Sequence, residues 1–206
     1  MAREKPAISQ KIDGAFGKNE DKTYLSGHLI IAMPGMPDPR FAKTVIYLCA
    51  HSAEGAMGLV VNRSMETMDF PDLLEQIGLG PLSEACEPIE IHFGGPVESG
   101  RGFVLHSSDY IHEATLVVDS HVALTATVDI LKSIAEGEGP HNRLLALGYA
   151  GWGPGQLDNE IMANGWLHVD ADDDLVFGPD LDGKWERAMK KLGIDPRMLS
   201  DLAGHA

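Results

Sequence analysis

The chain has 206 residues, 44% of them hydrophobic and 23% charged, which is enough apolar material for a sizeable core. Its 31 acidic and 16 basic side chains leave a formal net charge of -15. A field of that sign repels phosphate backbones and anionic bilayers, so neither direct nucleic-acid binding nor membrane attachment is expected. Cys49 and Cys86 are too few for a disulfide framework. No apolar h-region stands near Met1, and no apolar run approaches the roughly 20 residues of a membrane-spanning helix. A reducing, cytoplasmic location is the expectation.

Residues 1–22 are rich in Lys, Glu, Asp, Gly and Asn and read as a flexible or loosely docked segment. Within it, Ile8, Ile12 and Phe16 are spaced for a short docking helix. Residues 23–206 read as a single domain. A first strand covers 27–33. The next stretch, Met33-Pro-Gly-Met-Pro-Asp-Pro-Arg40, carries three prolines and can be neither helix nor central strand. Val45, Ile46, Tyr47 and Leu48 predict a strand buried on both faces over 44–50, and a turn at 51–55 leads to a third strand at 56–62.

Asp69 as N-cap, Pro71 in the first turn and Gly78 as stop predict a helix over 69–77. Strands follow at 89–93, 102–106 and 115–119, the first ended by Gly94-Gly-Pro-Val97. Leu124, Val128, Leu131 and Ala135 recur at helical spacing and predict a helix over 122–136, with Ser120 as cap and Gly137 as stop. The apolar run Leu144–Leu147 then meets a turn with four glycines, Gly148, Gly151, Gly153 and Gly155. Pro154 is suited to open the next helix. Two strands at 165–169 and 175–177, joined by the acidic turn 170–174, precede an amphipathic helix at 183–192 and a helical turn at 196–202. Strands and helices do not alternate regularly, which argues for an α+β domain, and the number of strands suggests a sheet that curls toward a barrel.

Long strings in this chain resemble the YqgE/AlgH family of bacterial proteins. They are Gly27-His-Leu-Ile-Ile-Ala-Met-Pro34, Asp38-Pro-Arg-Phe41, Gly55-Ala-Met-Gly-Leu-Val-Val-Asn62, Phe93-Gly-Gly-Pro-Val97, Gly148-Tyr-Ala-Gly-Trp-Gly-Pro-Gly-Gln-Leu157 and Ala203-Gly-His-Ala206. The resemblance covers nearly all of the chain after its first twenty or so residues. It implies a mostly antiparallel or mixed, bifurcated sheet folded into a pseudo-barrel and flanked by helices. It implies no established activity, although some members carry the label of transcriptional regulator.

No motif names a reaction. Gly94-Gly-Pro-Val97 lacks the Gly-Lys-Ser/Thr end of a phosphate loop and reads as a tight turn. The nine histidines include no H-x-x-x-H or H-E-x-x-H pattern, so no metal is expected. Cys49 and His51, two apart on a strand, would share a face, but burial would make that thiol inert. No G-x-S-x-G elbow occurs. Asp172, Asp173 and Asp174 read as a solvated turn. No catalytic residue and no cofactor are assigned.

The residues to test as a ligand site are Arg40, His51, Asn62, Gln156 and Glu160. Each stands in or beside a family string at a loop or element end. Gln156 and Glu160 are one turn apart on one helical face. The plainer alternative is that all five tie turns together. The expectation is a non-enzymatic binding or regulatory protein that acts through a protein partner or a small ligand. A transcriptional regulator, indirect or DNA-binding, and an enzyme using the cleft near Gln156 and Glu160 are the competing classes. No helix-turn-helix or basic helix supports the DNA reading.

Overall fold

The computed structural model describes residues 24–198 apart from Pro81, Ala85, Glu87, Pro88 and Arg197. The docking helix through Ile8, Ile12 and Phe16, most of the turn at 196–202 and the closing Ala203–Ala206 string lie outside the described residues. In chain order the elements are β1 (His28–Ala32), β2 (Val45–Ser52), β3 (Gly55–Val60), α1 (Phe70–Gln76), β4 (Ile91–Phe93), β5 (Val97–Ser107), β6 (Thr115–Val117) and β7 (Val122–Thr125). They continue with α2 (Val128–Glu136), β8 (Arg143–Trp152), α3 (Gln156–Met162), β9 (Trp166–Asp170), α4 (Asp173–Phe177) and α5 (Leu181–Lys191).

The sheet runs β6-β7-β5-β8-β3-β2-β1-β9, antiparallel throughout, with β4 off this path and parallel to β8. It forks at β8. The first half of that strand lies between β4 and β5, with Leu145 opposite both Ile91 and Val104. Its end pairs instead with β3, Gly151 opposite Met57. Gly148 makes the fork. Its φ is +72°, and a Cβ there would sit 2.3 Å from the Gly95 carbonyl oxygen. The kink also resets the alternation of side chains. Before it, Leu144 and Ala146 face one cluster; after it, Tyr149 does so, while Ala150 and Trp152 face away.

One face of the sheet buries a single cluster that includes Leu29, Tyr47, Leu59, Phe103, Leu124 and Leu144, and this face is the inside of the curl. α4 and α5 close it with Leu175, Val176, Trp185 and Met189. The outer face carries two separate clusters. α3 covers Ile46, Leu48, Val60 and Trp152. α1 and α2 cover Ile91, Val104 and Leu145. The apolar run of β2 follows from this arrangement. Val45 and Tyr47 serve the inner core, Ile46 and Leu48 an outer one, and all four are sealed from solvent.

The architecture is the expected α+β fold with a forked, curled sheet. Some boundaries differ, for physical reasons. Residues 122–125 are strand, not helix, because Val122–Thr125 pair with both β5 and β6. α2 therefore starts at Val128, Thr127 replaces Ser120 at the N-cap position, and the buried stripe is Ile130, Leu131, Ile134 and Ala135. Gly137 ends α2 at φ +83° as its position predicts.

The expected strand at 175–177 is α4. Asp172 caps it by accepting the Leu175 N–H at 2.9 Å, and Asp173 and Asp174 fill a first turn whose dipole favours acids. The three aspartates are thus a helix start and not a hairpin turn. α3 begins two residues after Pro154, behind Gly155 at φ +67°. α1 matches its prediction: the Asp69 carboxylate accepts the Asp72 N–H at 2.8 Å.

Candidate functional site

α3 lies across the outer face of β1, β2 and β3, and its polar side chains are held at fixed places. The Glu160 carboxylate accepts from Trp152 Nε1 at 2.9 Å and Trp166 Nε1 at 2.8 Å through one oxygen, and from Gln156 Nε2 at 2.8 Å through the other. Gln156 Oε1 in turn accepts the Gly153 N–H at 3.0 Å, which serves a free donor at the helix start. Glu160 thus joins the end of β8 to the start of β9 beneath α3, and the two indoles meet edge to face at 5.9 Å. The expected pairing of Gln156 with Glu160 is present, and both side chains are engaged inside the protein.

His51 joins the same face for a reason the strand period hides. The β2–β3 register shifts between Leu48 and Ala50, a bulge that leaves Cys49 as the extra residue. Cys49 stays in the inner core, while His51 lies opposite Ala56 of the outer cluster. The two side chains therefore do not share a face, which removes the Cys49–His51 dyad. Burial also holds the Cys49 thiol well above its ordinary value. His51 Nδ1 accepts the Leu25 N–H at 3.1 Å, and its Nε2 lies 3.7 Å from the Asp158 carboxylate of α3.

Arg40 belongs to the same outer layer. Its guanidinium grips Asp38 with Nη2 at 2.7 Å and lies over Phe41, whose ring meets Trp166 at 5.8 Å. Asn62 stands at the other end of β2 from His51. Its Oδ1 accepts the Val45 N–H at 2.8 Å and its Nδ2 donates to the Lys43 carbonyl at 2.9 Å. At the usual rise per residue, His51 and Asn62 are roughly 20 Å apart. The structure therefore gathers Gln156 and Glu160, ranges Arg40 and His51 on the same face of the sheet, and keeps Asn62 at a distance from His51.

A cavity lies elsewhere, on the inner side of the fork. It measures about 320 Å³ and opens between Glu90, His92, His141 and Arg143, in or just before β4 and β8, and Phe177, Gly178, Pro179 and Leu181 around the α4–α5 connection. Desolvation lowers the His92 pKa, and its Nδ1 donates to the Glu90 carbonyl at 3.3 Å. Arg143 Nη1 donates to the Pro140 carbonyl at 3.1 Å. Close by, Lys184 of α5 is fully buried. Its Nζ donates to Val176 O at 2.8 Å and to Val61 O at 2.9 Å, and desolvation brings its pKa down to about 8.

A histidine of a second kind shows what a sealed polar group looks like here. His106 Nδ1 donates to the Ser107 carbonyl at 2.9 Å. Its Nε2 then accepts from Thr125 Oγ1 at 2.9 Å, and Thr115 completes the chain at 2.8 Å. Every position is filled, so the ring is structural. The ligand-site residues read from sequence include none of His92, Arg143 and Lys184; His92 enters there only among the scattered histidines that make no metal pattern. A signal existed for Lys184, which stands one turn before Ala188 on the buried stripe of α5.

A forked α+β half-barrel, closed by a helix that carries a buried lysine, defines the structural class. The chain belongs to the AlgH-like family, whose model matches residues 29–197. It is 61% identical over 190 residues to a UPF0301 protein of Bradyrhizobium diazoefficiens, with 89% of each chain covered. It is 56% identical to a UPF0301 protein of Rhodospirillum rubrum, covering 98% of this chain and all of that one. Among solved structures, the AlgH protein of Pseudomonas aeruginosa superposes with a TM-score of 0.73 at 42% identity, over 92% of this chain and 100% of that one. A Corynebacterium diphtheriae protein shares the fold at 18% identity and a TM-score of 0.66, over 91% of this chain and 95% of that one.

Proposed function

We propose that this chain is a non-enzymatic binding protein that takes a small polar ligand in the cavity on the inner side of the fork. The observation that carries the reading is the convergence of Glu90, His92, His141 and Arg143 on about 320 Å³ of space. The group assembled in sequence, Arg40, His51, Asn62, Gln156 and Glu160, acts in this reading as the frame that holds α3 and the β1–β2 loop in place. Any regulatory role is exerted through a protein partner, since a net charge of -15 opposes DNA. The Cys49 thiol, buried in the inner core, is consistent with a reducing, cytoplasmic setting. No helix among the described residues is long and apolar enough to cross a membrane.

An enzymatic reading has one observation in its favour. His92 is held neutral at the cavity wall, the state a general base requires. Against it, Cys49 is sealed in the core away from that wall.

Native mass spectrometry of the purified full chain tests the binding reading. The expected result is a small polar adduct that disappears in His141→Leu combined with Arg143→Met. An adduct that survives both substitutions places the ligand elsewhere and ends this assignment.

A further inference from the structure

His51 of β2 is a buried imidazole that serves two partners with opposite demands. Its Nδ1 accepts the Leu25 N–H at 3.1 Å. A backbone amide can only donate, so Nδ1 carries a lone pair and the ring proton sits on Nε2. That second nitrogen lies 3.7 Å from the Asp158 carboxylate of α3. Leu25 needs the ring neutral, whereas a carboxylate favours the charged ring. Each described element packed against His51 brings a known group. α3 brings Asp158, and the segment before β1 brings Tyr24, whose ring meets the imidazole edge to face at 5.1 Å. β3 brings the uncharged Ala56, opposite His51 in the register.

The segment held by this bond is short and has a fixed pivot. Ser26 Oγ accepts the His51 N–H at 2.9 Å, and the Gly27 N–H donates to the Leu48 carbonyl at 2.8 Å. Gly27 turns the chain into β1 at φ +82°, where a Cβ would stand 2.9 Å from the Asp119 carboxylate. From there on, pairing with β2 and β9 fixes the backbone. Leu25, upstream of the pivot, is 8% exposed and belongs to the outer cluster with Ala56, Trp152 and Leu157. A proton on His51 Nδ1 sets N–H against N–H, and a buried amide without an acceptor is unfavourable.

We propose that His51 is an acid-operated latch: neutral, it holds residues 24–26 on the outer face, and with both ring nitrogens protonated it turns to Asp158 and releases Tyr24 and Leu25. The bond to Leu25 is present at high pH and is lost as pH falls through the titration of the ring. Asp158 supplies the alternative partner, which makes the change a choice between two contacts and not a simple loss of one. Release takes Leu25 out of the outer cluster and opens that cluster to solvent beside α3. The latch stands apart from the cavity of the preceding subsection and does not depend on it.

The test follows the ring nitrogens and the amide exchange of the isotope-labelled full chain by NMR from about pH 8 to about pH 5, the range in which imidazoles titrate. Exchange is corrected for its intrinsic dependence on pH. The expected result is that His51 Nδ1 gains a proton and protection of the Leu25 amide falls at least about tenfold, while Leu105 in the core strand β5 keeps its protection. His51→Asn puts an acceptor that does not titrate in the place of Nδ1, so Leu25 protection should no longer vary with pH. Asp158→Asn removes the partner of the charged ring and should move the opening to lower pH by about one unit. The proposal is overturned if the ring stays neutral throughout, if Leu25 stays protected once His51 is charged, if Leu25 and Leu105 lose protection together, or if His51→Asn keeps the original pH dependence.

Discussion

Gly148 shows how one residue can carry a fold. Its left-handed φ and the Gly95 carbonyl 2.3 Å from the site of any Cβ both exclude a side chain. Gly148→Ala is expected to cost about 2 kcal/mol from backbone conformation alone, and more from displacement of the Gly95 peptide. A urea denaturation midpoint unchanged by the substitution would contradict this account. The buried histidines make a second prediction. Desolvation holds His92 and His106 below the ordinary imidazole value. The unfolded chain takes up these protons near pH 6.5, and the folded chain only at lower pH. In that window the unfolded state binds more protons, so stability falls as pH drops below about 6.5. The urea midpoint should be lower at pH 5.5 than at pH 7.5, and His106→Gln should flatten the difference. Carboxylates such as Asp172 lose their contribution only nearer pH 4, outside this window.

At the scale of elements, α3 is held less by its length than by one carboxylate. Glu160 receives three N–H donors from β8, β9 and its own helix. Glu160→Gln replaces an acceptor with an amide that must point a donor at one of them, and should cost about 1–3 kcal/mol. Tryptophan fluorescence would report the loosened indoles before global unfolding. An unchanged midpoint and an unchanged spectrum together would show that the clamp is incidental. The helical spacing of Gln156 and Glu160 was legible in sequence, but the two indole donors were not, because Trp166 is brought under α3 only when β9 pairs with β1. The bulge at Cys49 is the same kind of case. A strict period of two puts His51 beside Cys49, and a one-residue bulge set by pairing with β3 sends it to the other face. The α4 segment is ambiguous in sequence for a local reason, since an Asp triplet can close a turn or start a helix. Burial of Leu175 and Val176 under α5 selected the helix.

At the scale of the molecule, net charge bears on partners more than any motif does. With 31 acids against 16 bases, the chain should show no tight, salt-sensitive shift of duplex DNA in a gel at physiological ionic strength. A slope of binding against salt typical of several phosphate contacts would overturn the indirect reading of any regulatory role. The curl of the sheet gives the molecule one shared inner core and two outer ones, and it is the closure of the inner core by α4 and α5 that creates the cavity near His92.

Sequence by itself determined the α+β class, the strand-rich first half, the Asp69 and Gly137 helix ends, and the family strings, because these rest on local propensity and residue identity. It also placed Asn62 and Arg40 at turns. Tertiary structure alone decided the fork at Gly148, the strand at 122–125, the face on which His51 lies, and the meeting of Glu90, His92 and Arg143. Each of these depends on which strands become neighbours, and that choice is made by burying three apolar faces at once, a property no single stretch of the chain contains.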